Sequence, residues 1–135
     1  MQDCYITITT EADGTENTIT RQGRWEPSVN SVKLHYCEEN AQIFLQLVDG
    51  CAYIKRMGDY TLSLSLEEGK LLDGKIGIGG AKGDVQTYAR KISYFLKKDS
   101  LLLSLHYDLI ISNETQKMKL RLLVKNKENS NGGNI

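Results

Sequence analysis

The sequence predicts an all-β protein, an antiparallel up-and-down barrel of about 8–10 strands, on three observations. Apolar residues recur at every second position in run after run, as in Leu101, Leu103, Leu105, Tyr107, Leu109 and Ile111, the period of a half-buried strand. Short turn-forming pairs such as Asp13-Gly14 and Asp49-Gly50 join the runs, and such pairs close antiparallel hairpins. No stretch places apolar residues at i, i+3, i+4 and i+7 for long enough to make a helix. A sheet of many twisted strands with one apolar face must curl to bury that face and remove its edges. A barrel is the simplest solution and a sandwich the runner-up.

Composition bounds the reading. The 135 residues carry 17 Lys and Arg against 17 Asp and Glu, so the net charge is zero and no global field draws the chain to nucleic acid or an anionic membrane. A chain of this length buries roughly two thirds of its unfolded surface in one core without disulfides or metals. One domain over residues 1–127 is expected, with a disordered Asn- and Gly-rich tail at 128–135, the disorder setting in around Asn126. The three cysteines, Cys4, Cys37 and Cys51, form no Cys-x-x-Cys pair, which argues against a disulfide framework or a zinc site. The opening residues lack the basic and apolar regions of a secretory signal, and no apolar run approaches the roughly 18 residues of a membrane span. A cytoplasmic protein with no membrane partner is expected.

In chain order, the first run puts Ile6 and Ile8 on one face, and the turn at Asp13-Gly14 sets Ile8 opposite Ile19. The second strand passes through Arg21 and Gly23 to Trp25 and ends at Pro27, which has no N–H for a ladder. Ser31 to Glu38 points Val32, Leu34 and Tyr36 one way. Gln42 to Val48 points Ile43, Leu45 and Leu47 inward, and the turn at Asp49-Gly50 sets Ile43 opposite Arg56, so Arg56 faces the core. Tyr60, Leu62, Leu64 and Leu66 agree with that facing only if the intervening loop has an odd count or a bulge, which Gly58 can supply. Between Glu67 and Asp84, glycines interrupt a weak strand containing Ile76 and Ile78, and the sheet is expected to bend there. Regularity returns at Val85. A turn at Lys98-Asp99 sets Leu96 against Leu101, Tyr94 against Leu103 and Ile92 against Leu105, and carries Arg90 inward beside Tyr107. A tight turn at Asn113-Glu114 sets Leu105 against Leu122, Tyr107 against Leu120 and Leu109 against Met118, with His106 beside Arg121 and Asp108 beside Lys119 on the other face.

Several of these pieces resemble a known family. They are Asp13-Gly14 leading into Thr18-Ile19, Gly23-Arg24-Trp25, the run Val32-Lys33-Leu34-His35-Tyr36-Cys37-Glu38, the segment Ile54-Lys55-Arg56-Met57-Gly58, and Leu101 to Leu109. Over about residues 3 to 127 the chain is similar to the YwiB-like family, bacterial proteins with a lipocalin-like domain of unknown function. The resemblance implies a calycin-type barrel, a fold that commonly binds small apolar ligands in its mouth. It carries over no catalytic residue.

Ser104, His106 and Asp108 share one strand face, but alternate residues on a strand stand roughly 6.6 Å apart with parallel side chains, so a solvated face is favoured over a serine-hydrolase triad. The cluster Gly74 to Gly83 matches neither phosphate-binding fingerprint and precedes no helix, which favours bulges and a barrel corner over a phosphate loop. Lys117, Lys119, Arg121, Lys125 and Lys127 form a basic row. Phe95 alone offers an exposed aromatic beside it and Asp108 offsets its charge, so a solvated face is favoured over nucleic-acid binding. His35 and His106 lie on separate strands with no converging acid or cysteine, so no metal is expected. Arg56 and Arg90 differ from these, because both face the apolar side, where an unpaired charge is costly. Each should sit at the rim, pair internally or meet an anionic ligand, and an arginine snorkelling at the barrel end is the plainer reading.

The expected function is therefore non-enzymatic and needs no cofactor. Arg56 and Arg90 would take the polar head of a small apolar or anionic amphipathic ligand, and Trp25, Tyr53, Tyr88, Tyr94 and Tyr107 would wall its body, in an interior cavity of a few hundred Å³ or more. The alternative is an interaction or structural barrel, self-associating or partner-binding, filled by its own leucines and carrying an exposed apolar patch around Phe44 and Val48.

Overall fold

Turn chemistry lays out the frame. Asp13-Gly14, Asp49-Gly50, Gly79-Gly80 and Ser112-Asn113 hold positive φ at both residues, the backbone whose twist matches the strands of a two-residue hairpin. In the computed structural model, which describes residues 1–127, these turns join β1 (Gln2–Ala12) to β2 (Thr15–Pro27), β4 (Ala41–Val48) to β5 (Cys51–Gly58), β7 (Leu71–Ile78) to β8 (Ala81–Leu96), and β9 (Ser100–Ile111) to β10 (Glu114–Asn126). With β3 (Ser31–Glu38) and β6 (Tyr60–Leu66) they make ten antiparallel strands, and β1 pairs with β10 to close the barrel. The expected disordered tail at 128–135 lies outside the described residues. Its proposed onset at Asn126 is corrected: Asn126 ends β10 and takes the Trp25 indole N–H at 2.6 Å.

Most expected registers hold. Ile8 faces Ile19, Ile43 faces Arg56, and Leu96 faces Leu101. Arg56 faces Leu62 across five intervening residues, the odd count that the pattern requires, so Gly58 forms no bulge. It lies opposite Ala41 instead, where any side chain would overlap the Asn40 carbonyl.

Three departures have physical causes. The last hairpin turns at Ser112-Asn113 rather than Asn113-Glu114, which moves every pairing by two, so that Tyr107 meets Met118, Leu105 meets Leu120, His106 meets Lys119 and Asp108 meets Lys117. A two-residue turn needs positive φ at both central positions, and asparagine tolerates that better than glutamate. The glycine-rich segment is a regular strand followed by a glycine turn, without a corner. Gly74 is there because a Cβ would sit 2.5 Å from the Ser63 carbonyl. The bulge falls at Arg90, where Ala89 pairs with Tyr107 but Lys91 with His106. The extra residue turns Arg90 away from the core, and its guanidinium clasps both oxygens of Asp108, Nη2 to Oδ2 at 2.6 Å and Nε to Oδ1 at 3.3 Å.

The inward faces fill the barrel. Ile6, Leu34, Leu101, Leu103, Leu105, Leu122 and Val124 are at most 1% exposed. A void large enough for water would leave accessible surface on its lining, so these side chains enclose no such void, and among the inward residues at mid-strand Ile54 and Ile92 keep partial exposure. The end where β1 begins and β10 finishes is shut by Trp25, Val32, Leu47 and Leu66, all buried. At the opposite end Ile19, Leu62, Ile76, Ile111, Met118 and Leu120 are only half-buried, and the mouth is there.

Arg90→Ala strands the buried Asp108 carboxylate and is expected to lower stability by about 1–3 kcal/mol, with Asp108→Asn in the same chain restoring part of the loss. Urea denaturation of the two variants checks this. An unchanged midpoint in Arg90→Ala would show that the turns alone hold the bulge.

Candidate interaction surface and barrel mouth

Of the seven residues the sequence singles out, the barrel brings two to its mouth, Arg56 and Tyr107. Arg56 faces inward at the rim but is already satisfied, donating to Asp59 Oδ1 at 2.8 Å and to the Tyr60 carbonyl at 2.7 Å, with its guanidinium 3.7 Å from the centre of the Tyr60 ring. Arg90 stands outside, paired with Asp108. Trp25 plugs the far end and lines no mouth. Tyr53 is on the outer surface, and so is Tyr88, whose ring lies under Arg90. Tyr94 faces inward by register but remains exposed, because the ladder between β7 and β8 stops at Tyr88. Asp108 is held by Arg90 rather than by His106, so Ser104, His106 and Asp108 do not form a relay.

The mouth also contains residues that the sequence reading passed over. Tyr36 on β3 and Tyr107 on β9 are both buried to more than nine tenths, and Arg21 on β2 is half-buried beside Tyr36. The signal was available, since the Asp13-Gly14 register that sets Ile8 against Ile19 also sets Arg21 against Ile6 on the inner face. Gly23 makes the approach close, because a Cβ there would lie 2.7 Å from Ile6 Cδ1 and 3.0 Å from Tyr36 Cβ. Burial pushes the Tyr107 phenol up to about 12. Burial raises Tyr36 further, with Glu38 adding to the rise and Arg21 opposing it. Arg21 gives one N–H to the Thr20 carbonyl at 3.0 Å and has no carboxylate partner among the described residues. No hydrogen bond reaches either tyrosine hydroxyl among the described residues.

On the outside, alternation presents Lys33, His35, Phe44, Gln46, Tyr53 and Lys55 across β3, β4 and β5. Phe44 stacks on His35, ring centres 4.5 Å apart and planes 16° from parallel, and remains 37% exposed. Phe44, Tyr53 and Met1 wall a groove of about 330 Å³ rimmed by Lys33 and Lys55. Val48 is half-buried and does not line it. Beneath the stack, His35 Nε2 is buried with no partner among the described residues. A wider cleft of about 570 Å³ opens between the β5–β6 and β7–β8 turns, walled mainly by the turns themselves at Gly58, Asp59, Tyr60, Gly79 and Gly80.

Comparison with known proteins agrees with the YwiB-like resemblance. The sequence profile of the family described as a domain of unknown function, DUF1934, matches residues 5–122. The crystal structure of the ywiB protein from Bacillus subtilis is similar with a TM-score of 0.75 and 17% identity, covering 93% of this chain and 91% of that one. At that identity the likeness shows the fold. No curated protein matches the chain.

In the unfolded chain a tyrosine ionises near pH 10, whereas folded Tyr107 does so at about 12. The stability from keeping it neutral is complete below pH 10 and declines by about 1.4 kcal/mol for each pH unit between the two values. Denaturation midpoints across that range should therefore fall less steeply in Tyr107→Phe than in the wild type. Parallel profiles would mean that Tyr107 titrates as an exposed phenol.

Proposed function

Taking as premise that this chain belongs to the DUF1934 family, we propose that it is a non-enzymatic interaction module whose filled barrel is a rigid scaffold and whose outer surface meets a protein partner. The observation that carries this reading is the solid interior. A ligand carrier needs a cavity that buries most of its cargo, and here Leu103, Leu105 and their neighbours occupy that space.

The outer groove supports the other half of the reading. Phe44 is held upright by its stack on His35, Tyr53 stands beside it, and the groove between them has the size to accept one or two apolar side chains. Interfaces concentrate their affinity in such small pockets around rigid aromatic anchors. Lys33 and Lys55 on the rim favour a partner segment with acidic residues flanking its apolar one. A second reading keeps the mouth. Arg21 without a carboxylate beside the Tyr36 and Tyr107 hydroxyls suits a small anion bound at the surface of the barrel end, with Arg56 as part of the wall.

Native mass spectrometry of protein from its own host, run beside an unfolded sample, separates the two. The interaction reading predicts a partner chain or a second copy that is retained by the wild type and by Arg21→Ala but lost from Phe44→Asp. A defined small mass released on unfolding and lost from Arg21→Ala would overturn it in favour of the mouth.

A further inference from the structure

The bulge at Arg90 turns the rest of β8 over. Val85, Thr87 and Ala89 face the core, and after the extra residue Ile92 does so, which leaves Lys91 and Phe95 on the outside with Lys97 just beyond the strand. Across the sheet Lys91 meets His106, which meets Lys119. Ser93, Ser104 and Arg121 form the next row, then Phe95, Leu102 and Leu123, and Lys125 lies opposite Tyr5.

Two features read from the sequence as discounting this face are reversed by the fold. Asp108, expected to offset the cations, is withdrawn into the Arg90 clasp. Phe95 is not the only aromatic, because β1 adds Tyr5 to the same surface. Phe95 is 60% exposed, Leu102 47% and Tyr5 41%. Glu11 reaches Lys119 at 3.4 Å, but Lys91, Lys97, Arg121 and Lys125 have no ion-pair partner among the described residues. Lys97 lies 5.4 Å from the Phe95 ring centre and Lys127 5.8 Å from that of Tyr5. His106 in their midst titrates below the ordinary histidine range, first from burial and then from Lys119, Lys91 and Arg121.

We propose that the outer face of β8, β9, β10 and β1 binds single-stranded nucleic acid, the cations tracking its phosphates and Phe95 and Tyr5 stacking its bases. Alternating cations and exposed rings on a sheet are the chemistry of such binding, and it asks for no base-specific pocket. A neutral chain still presents this local field, since each carboxylate on the outer face of these strands already has a cation: Asp108 has Arg90, Glu11 has Lys119, Asp84 has Lys75 and Asp3 has Arg24.

The test is fluorescence anisotropy of the full chain with a labelled single-stranded oligouridine over a salt series. Binding is expected to weaken as salt rises, Lys91→Glu with Arg121→Glu to lose at least about tenfold, and Phe95→Ala to lose about fivefold or more with the salt slope unchanged. These side chains are exposed, and thermal melts of each variant confirm folding. Phe44→Asp, on another face, should bind the oligonucleotide as the wild type does whether or not it has lost a protein partner. No binding at low salt, binding untouched by both sets of substitutions, or equal competition from polyglutamate would overturn the proposal.

Discussion

The single extra residue in β8 reconciles two registers that a straight strand cannot satisfy together. The apolar phase of β8 falls on Val85, Thr87 and Ala89 before Arg90 and on Ile92, Tyr94 and Leu96 after it, while its partner β9 keeps one phase from Leu101 to Leu109. A one-residue slip moves an entire side-chain set to the other face. Without the bulge, one half of the strand would expose its apolar set and bury Lys91. The bidentate clasp of Arg90 on Asp108 holds the kink where it is, and the two-residue link at Lys98-Asp99 keeps the hairpin beyond it in register.

From that reconciliation follow both the filled interior and the decorated exterior. Each strand delivers leucine, isoleucine or valine to the lumen from β1 round to β10, and the space closes around Trp25 at one end. The barrel then has little interior left to offer a ligand. What varies over its outside is chemistry on a rigid sheet: an aromatic groove on β3 to β5, and cations with exposed rings on β8 to β10 and β1.

Much of this was legible in the sequence, and the misses share a cause. Turns with Asp-Gly fixed Ile8 against Ile19 and Ile43 against Arg56, because only a few residue pairs tolerate two consecutive positive φ angles. Arg56 was correctly placed inward on that basis. Arg90 was misplaced because a bulge adds a residue without any glycine to announce it; only the change of apolar phase across it carried the signal. Tyr53, Tyr88 and Tyr94 were assigned to the wall on residue type, whereas facing depends on strand phase and on how far the neighbouring strand extends. Arg21 and Tyr36 could have been read from the registers of the first three strands. Their convergence with Tyr107 from across the barrel is long-range, and local pattern does not encode it.

A barrel filled by its own side chains leaves no room for xenon, which settles into dry apolar cavities. In crystals of the full chain held under xenon pressure, no bound xenon is expected among Ile6, Leu34, Leu103, Leu105 and Leu122. An ordered xenon site within that set would reveal a cavity, contradict the filled barrel and return the interior to the role of a ligand site.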